Sequence, residues 1–268
     1  MIRRHLTIDC QGSAMAATLD GLCEGSKAAL LIVSGGNELR SGAWGGQAWL
    51  AARIAGAGVP VLRFDRRGVG DSEGDNATYR DAGADIAAAM AYLRDAAPGA
   101  RIVAMGNCDA ASALMLNAGG GADGLILCNP WTIEGEDEGA SQEARAGAQV
   151  ASLRAHYRSR LTNPAALLRL LSGKVSLRGL VGSVLAMMRR KPAATPDDLA
   201  GRMRAGLARF GGPVSILISG RDRTAQVFLG VWDAGDTRIR RCESAGHSFV
   251  EEEARVWLVE RVLEGVKG

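Results

Sequence analysis

The groups in this chain whose types and order could do chemistry are one cysteine, one aspartate and one histidine, spread from residue 108 to residue 247. Gly106-Asn107-Cys108-Asp109-Ala110 follows the apolar run Arg101-Ile102-Val103-Ala104-Met105 and precedes the helix-like run Ala111-Ser112-Ala113-Leu114-Met115-Leu116. Strand, sharp turn, helix is the layout of a nucleophile elbow, small-x-nucleophile-x-small, where bulkier neighbours would collide with the following helix. Gly106 and Ala110 are the small residues, and Cys108 holds the place usual for serine. The helix start behind it offers free N–H groups and positive partial charge, which favour a thiolate and later an oxyanion. A free cysteine is more often a small buried hydrophobe, so the pentapeptide needs partners to carry the reading.

A cysteine nucleophile needs a base, and the base needs an orienting acid. His247 lies in Ser244-Ala245-Gly246-His247-Ser248-Phe249, between the last strand-like and the last helix-like run. Asp222 follows the strand-like run 214–218 in Ser219-Gly220-Arg221-Asp222. The other common acid position, after the run 124–128, holds Asn129-Pro130, which favours Asp222 and leaves Glu134 as an outside candidate. The order Cys108, Asp222, His247 is the nucleophile–acid–histidine order of α/β-hydrolases. An oxyanion hole needs two converging N–H donors. The backbone N–H of Asp109 is one candidate, and that of Asn37 the other, with Gly36 as fallback. His5 and His156 read as ordinary core or surface residues.

The elements that must position these groups alternate. Residues 3–9 and 14–20 read as an opening hairpin around Gln11-Gly12-Ser13, and Ala28–Val33 as a strand buried on both faces. A helix from Trp44 to Gly56, a strand over 59–65, a helix over 81–96 and strands at 101–105 and 124–128 follow. Strand rhythm returns at 214–218 and 237–240, and a last helix runs over 251–263. This predicts an α/β-hydrolase fold: a mostly parallel twisted sheet with helices on both faces. Residues 131–210 contain no strand-like run and read as an inserted helical cap over the strand ends. The core is then 1–130 with 211–268. Asp65-Arg66-Arg67-Gly68-Val69-Gly70-Asp71-Ser72 resembles the D-x-R-G-x-G-x-S turn of α/β-hydrolases and reads as structural; its glycine spacing does not fit a dinucleotide site. Asp85, Cys10, Cys23, Cys128 and Cys242 suggest no partner and default to packing or surface.

Bulk properties exclude several classes. A net charge of +3 and an aromatic content of 4% argue against a nucleic-acid partner. Five cysteines at irregular spacing form neither a disulfide framework nor a CxxC pattern, and three histidines without ligand spacing argue against a metal. No cofactor is called for. The N-terminus lacks an apolar signal core and no uncharged stretch spans a membrane, so the expected compartment is a reducing cytoplasm. The basic amphipathic stretch 167–190 could instead rest on a membrane, but a cap also needs apolar helical faces.

Several motifs together resemble the exosortase A system-associated hydrolase 1 family. They are Gly35-Gly36-x-x-Arg40-x-Gly42, the elbow Gly106-x-Cys108-Asp109-Ala110-Ala111-Ser112, Asn129-Pro130-Trp131, His156-Tyr157 with Arg160-Leu161, Leu171-Ser172-Gly173-Lys174 and Gly220-x-Asp222-x-Thr224-Ala225. The chain departs from that pattern at Ala43-Trp44-Gly45, where more polar residues are expected. The resemblance implies an α/β-hydrolase encoded alongside exopolysaccharide and protein-sorting machinery. The combined expectation is a hydrolase of a small-molecule ester or thioester, acting through Cys108, His247 and Asp222. Two alternatives stand beside it. One is an acyltransferase with the same triad, since polyester synthases also carry cysteine at the elbow. The other is a non-catalytic ligand-binding protein on the same fold.

Overall fold

Apolar residues at consecutive positions of a strand are buried on both faces, and most strands here are of that kind. The computed structural model describes residues 2–133 and 198–268. Its elements in chain order are β1 (Arg3–Cys10), β2 (Ser13–Asp20), β3 (Ala28–Val33), α1 (Gly46–Gly56), β4 (Val61–Phe64), α2 (Gly83–Ala96), β5 (Arg101–Asn107), α3 (Asp109–Leu116), β6 (Gly124–Cys128), α4 (Leu199–Ala208), β7 (Val214–Ser219), α5 (Arg223–Val231), β8 (Ile239–Cys242) and α6 (Glu252–Lys267). The strands form one eight-stranded sheet in the order β1-β2-β4-β3-β5-β6-β7-β8. β1 and β2 form the expected hairpin, and β2 meets β4 antiparallel; every other neighbouring pair is parallel.

Side chains alternate between two cores. Leu31 and Val33 join Ile86, Leu93 and Leu114 on the face covered by α2 and α3, while Leu30 and Ile32 join Leu50, Ile54, Leu258 and Val262 on the face covered by α1 and α6. Each fully buried leucine or isoleucine contributes about 1.5–3 kcal/mol. Helix ends differ from expectation by a few residues for local reasons. The expected helix from Trp44 starts at Gly46, because Trp44 (φ 58°) and Gly45 (φ 68°) are left-handed. The strand expected from residue 59 starts after Pro60, which has no N–H to pair.

Residues 198–210 of the segment expected as a cap are described. Asp198 caps α4 by accepting from the Gly201 N–H at 2.6 Å, and Leu199, Met203 and Leu207 enter the α2–α3 core. Gly206 lies so close to α3 that a Cβ would stand 2.1 Å from the Met115 carbonyl oxygen. The remainder of the expected cap, 134–197, lies outside the described residues, as do Glu134 and His156.

Parallel register brings the carboxyl ends of five strands together: Val33 opposite Gly106, Asn107 opposite Cys128, Cys128 opposite Leu217, and Ser219 opposite Cys242. The loops leaving that edge carry the candidate residues, where open α/β sheets bind ligands.

Candidate active site

The turn between β5 and α3 is as tight as the small residues imply. Cys108 has φ 60° and ψ −126°, a conformation that costs a non-glycine residue of order 1–3 kcal/mol and persists only where its surroundings fix it. They do so by hydrogen bonds. The Cys108 N–H donates to the Cys128 carbonyl at 2.9 Å, and the Cys108 carbonyl accepts from the Trp131 N–H at 3.2 Å. A Cβ on Gly106 would lie 2.7 Å from the Ala110 carbonyl carbon, so only glycine fits there. Cys108 itself is half-buried, whereas Cys10, Cys23, Cys128 and Cys242 are buried. Full burial pushes the Cys128 thiol up to about 12, which keeps it protonated and unreactive.

Asp222 ends the loop after β7 and caps α5. Its carboxylate accepts from the N–H groups of Thr224 and Ala225 at 3.2 and 3.0 Å, and the same Oδ2 that meets Ala225 lies 2.9 Å from Nδ1 of His247. The carboxylate is 7% exposed, so the helix start and the imidazole together replace its water. With Nδ1 facing Asp222, the other ring nitrogen is left for Cys108. His247 is raised from an ordinary 6.5 to about 10. The hydrogen bond to Asp222 is the largest cause and interaction with the Cys108 side chain the next; burial opposes them, and the negative charge of Asp222 adds to the rise. Cys108, His247 and Asp222 are therefore brought together.

Two asparagines that the sequence did not single out as functional hold the histidine loop. Asn129, fully buried at the end of β6, donates through Nδ2 to the His247 carbonyl at 3.2 Å, to Asn107 Oδ1 at 3.1 Å and to Ser219 Oγ at 3.0 Å. Its Oδ1 accepts from the Ser219 N–H at 2.8 Å. Asn107 Nδ2 reaches the same His247 carbonyl at 3.4 Å. The position that could have held an acid thus ties together the ends of β5, β6 and β7 and the loop bearing the base. Its signal in the sequence is an amide directly after five apolar or small strand residues, where a buried polar side chain must find partners.

The oxyanion candidates are arranged less simply. The Gly36 N–H donates to both carboxylate oxygens of Asp109, at 2.9 and 2.7 Å. Asn37 uses its side-chain Oδ1 to accept from Asn76 at 2.6 Å. Gly36, the fallback, is therefore the N–H that meets the elbow. Arg66 donates to the Gly36 carbonyl and faces the Asp109 charge. The turn beginning at Asp65 is structural: the Ser72 hydroxyl donates to the Asp65 carbonyl at 2.8 Å. Asp85 does have partners, accepting from Arg67 Nε at 2.6 Å and from the Cys10 thiol at 3.4 Å. Among the described residues no cluster of three or more His, Cys, Asp or Glu could hold a metal ion, and no helix is long and apolar enough to cross a membrane.

Comparison with known proteins follows the same lines. The sequence matches the Alpha/beta hydrolase family over residues 30–261. No curated protein matches the chain. Among solved structures, the Pyrococcus furiosus esterase Pf2001 is similar with a TM-score of 0.59 at 15% identity, covering 99% of this chain and 93% of that one. An α/β serine hydrolase without lid from Xanthomonas campestris has a TM-score of 0.57 at 14% identity, covering 99% and 94%. A thioesterase domain from the curacin biosynthetic pathway has a TM-score of 0.57 at 15% identity, covering 98% and 100%. At such identities the likeness is one of fold.

Proposed function

Since the chain belongs to the alpha/beta hydrolase family, we propose that it hydrolyses an ester or thioester of a small molecule through a cysteine nucleophile, with Cys108, His247 and Asp222 as its catalytic residues. The observation that carries this is the placement of His247, which hydrogen-bonds Asp222 through Nδ1 at 2.9 Å and whose titration is also raised by the Cys108 side chain. An imidazole raised to about 10 keeps its proton at neutral pH; the proposed first step is attack by the Cys108 thiolate, with that proton held on His247. The sulfur attacks the acyl carbon, and the carbonyl electrons move onto oxygen. As the intermediate collapses, the bond to the leaving alkoxide or thiolate breaks and His247 supplies its proton. Water then gives a proton to His247 and attacks the thioester carbon; the carbon–sulfur bond breaks and the acid leaves. Asp222 keeps the ring oriented and stabilises its charged form throughout.

An esterase and a thioesterase domain among the proteins of similar fold support the choice of bond. The motif resemblance supports a role beside exosortase and exopolysaccharide machinery, and five free cysteines suit a reducing cytoplasm. The test is turnover of activated esters and acyl thioesters in water alone. A hydrolase cycles without an added alcohol or amine. A transferase accumulates acyl-enzyme until one is supplied, and a binding protein does neither. Loss of all turnover in Cys108→Ala is the expected result; full turnover in that variant would return Cys108 to a structural thiol.

A further inference from the structure

One donor that should receive a substrate's oxyanion is already engaged. The Asp109 carboxylate accepts from the Gly36 N–H through both oxygens, at 2.9 and 2.7 Å. That N–H belongs to the glycine turn after β3, which in this fold supplies one half of the oxyanion hole; the N–H of the residue after the nucleophile forms the other half. Gly35 leaves the room for this: a Cβ there would lie 2.2 Å from Asp109 Oδ1. Arg66 faces the same carboxylate and donates to the Gly36 carbonyl, so charge and backbone are held from the far side.

We propose that Asp109 is a specificity-determining residue: its carboxylate occupies the oxyanion position and must be displaced before Cys108 is acylated, so that only substrates with binding energy elsewhere open the hole. This rests on the cysteine-hydrolase reading above. A hydrogen bond to an ionised carboxylate is roughly twice as strong as one to a neutral carbonyl, so the carbonyl of a tiny ester cannot compete for Gly36 on its own. Contacts to the remote parts of a larger substrate can drive the exchange, which is specificity by coupled rearrangement. Burial raises the Asp109 carboxyl above its ordinary range, with the Gly36 N–H and Arg66 offsetting only part of the rise. The carboxylate is thus held in place but incompletely solvated there.

The test compares acylation of the full chain, as wild type, Asp109→Ala and Asp109→Asn, by p-nitrophenyl acetate, with alkylation of Cys108 by iodoacetamide read on the Cys108 peptide. Alkylation forms no oxyanion and reports the nucleophile alone. Freeing the hole should speed acetyl transfer to Cys108 about tenfold or more in Asp109→Ala and less in Asp109→Asn, with alkylation little changed. If Asp109→Ala does not fold, Asp109→Asn decides by the sign of its change. Acylation equal to or slower than wild type, with alkylation retained, would overturn the proposal and leave the cysteine reading standing. A Cys108 inert to both reagents in every variant would overturn the two together.

Discussion

Asp222 and Asp109 carry the same group at the start of a helix that follows a parallel strand, yet they do opposite things at the site. Asp222 spends its carboxylate on two N–H groups of its own helix and on Nδ1 of His247. Asp109 reaches across the elbow to the Gly36 N–H. The difference comes from what each loop presents. After β7 the facing loop offers an imidazole, which a carboxylate orients and charges. After β5 the facing loop is Gly35-Gly36, which offers only backbone donors and room. In the proposed mechanism one carboxylate orients the histidine, and the other fills the place where the oxyanion would form. Helix-start electrostatics alone therefore does not decide whether an acid helps or hinders; the opposing loop does.

Cys108→Ala cuts deepest into this comparison, because it leaves both carboxylates with nothing to act on: turnover and acyl loading should vanish while the fold persists. Asp222→Asn removes the useful carboxylate. By the serine-protease precedent it should cost roughly 10⁴-fold in kcat, with circular dichroism unchanged, whereas the Asp109 variants should move acylation the other way. A loss of similar size from both would erase the distinction drawn here. Asn129→Ala should cost up to roughly 10²-fold in kcat with little change in KM, because a base displaced by about 1 Å loses that much. Its readout beyond rate is the His247 ring titration by NMR, which a purely structural loss elsewhere in the sheet would not shift. The smallest effect is on stability against pH. His247 titrates higher folded than its ordinary 6.5, so its stabilising contribution is complete below about 6.5 and is lost as pH rises through about 10. Wild-type Tm should fall over that window more than the Tm of Asp222→Asn.

Much of this was legible before any coordinates. The alternation of apolar runs announced the parallel sheet, and Gly106 with Ala110 announced a turn that no Cβ at Gly106 can survive. Chain order alone paired Asp222 with His247, because loops at one sheet edge meet whatever their separation in sequence. Side-chain reach was not legible. The sequence offers Asp109 for its backbone N–H, and nothing in the string says that its carboxylate turns back to Gly36 rather than out to solvent. In the sequence Asn129 stands out as the absence of an acid, although an amide closing an all-apolar strand also signals a buried polar network. Trp44 shows the limit of composition: a residue well suited to a helix stands outside it, left-handed and 86% exposed, because the glycines around it unwind the turn.

The central claim is that the Cys108 sulfur becomes covalently acylated with His247 and Asp222 in support. It is tested most directly by rapid acid quench of the wild-type chain after mixing with an acyl thioester or activated ester, followed by peptide mass analysis. The account predicts one acyl group, on the peptide containing Cys108, that appears before free acid and is absent in Cys108→Ala. Free acid released at the wild-type rate with no adduct at Cys108, in wild type and variant alike, would contradict it.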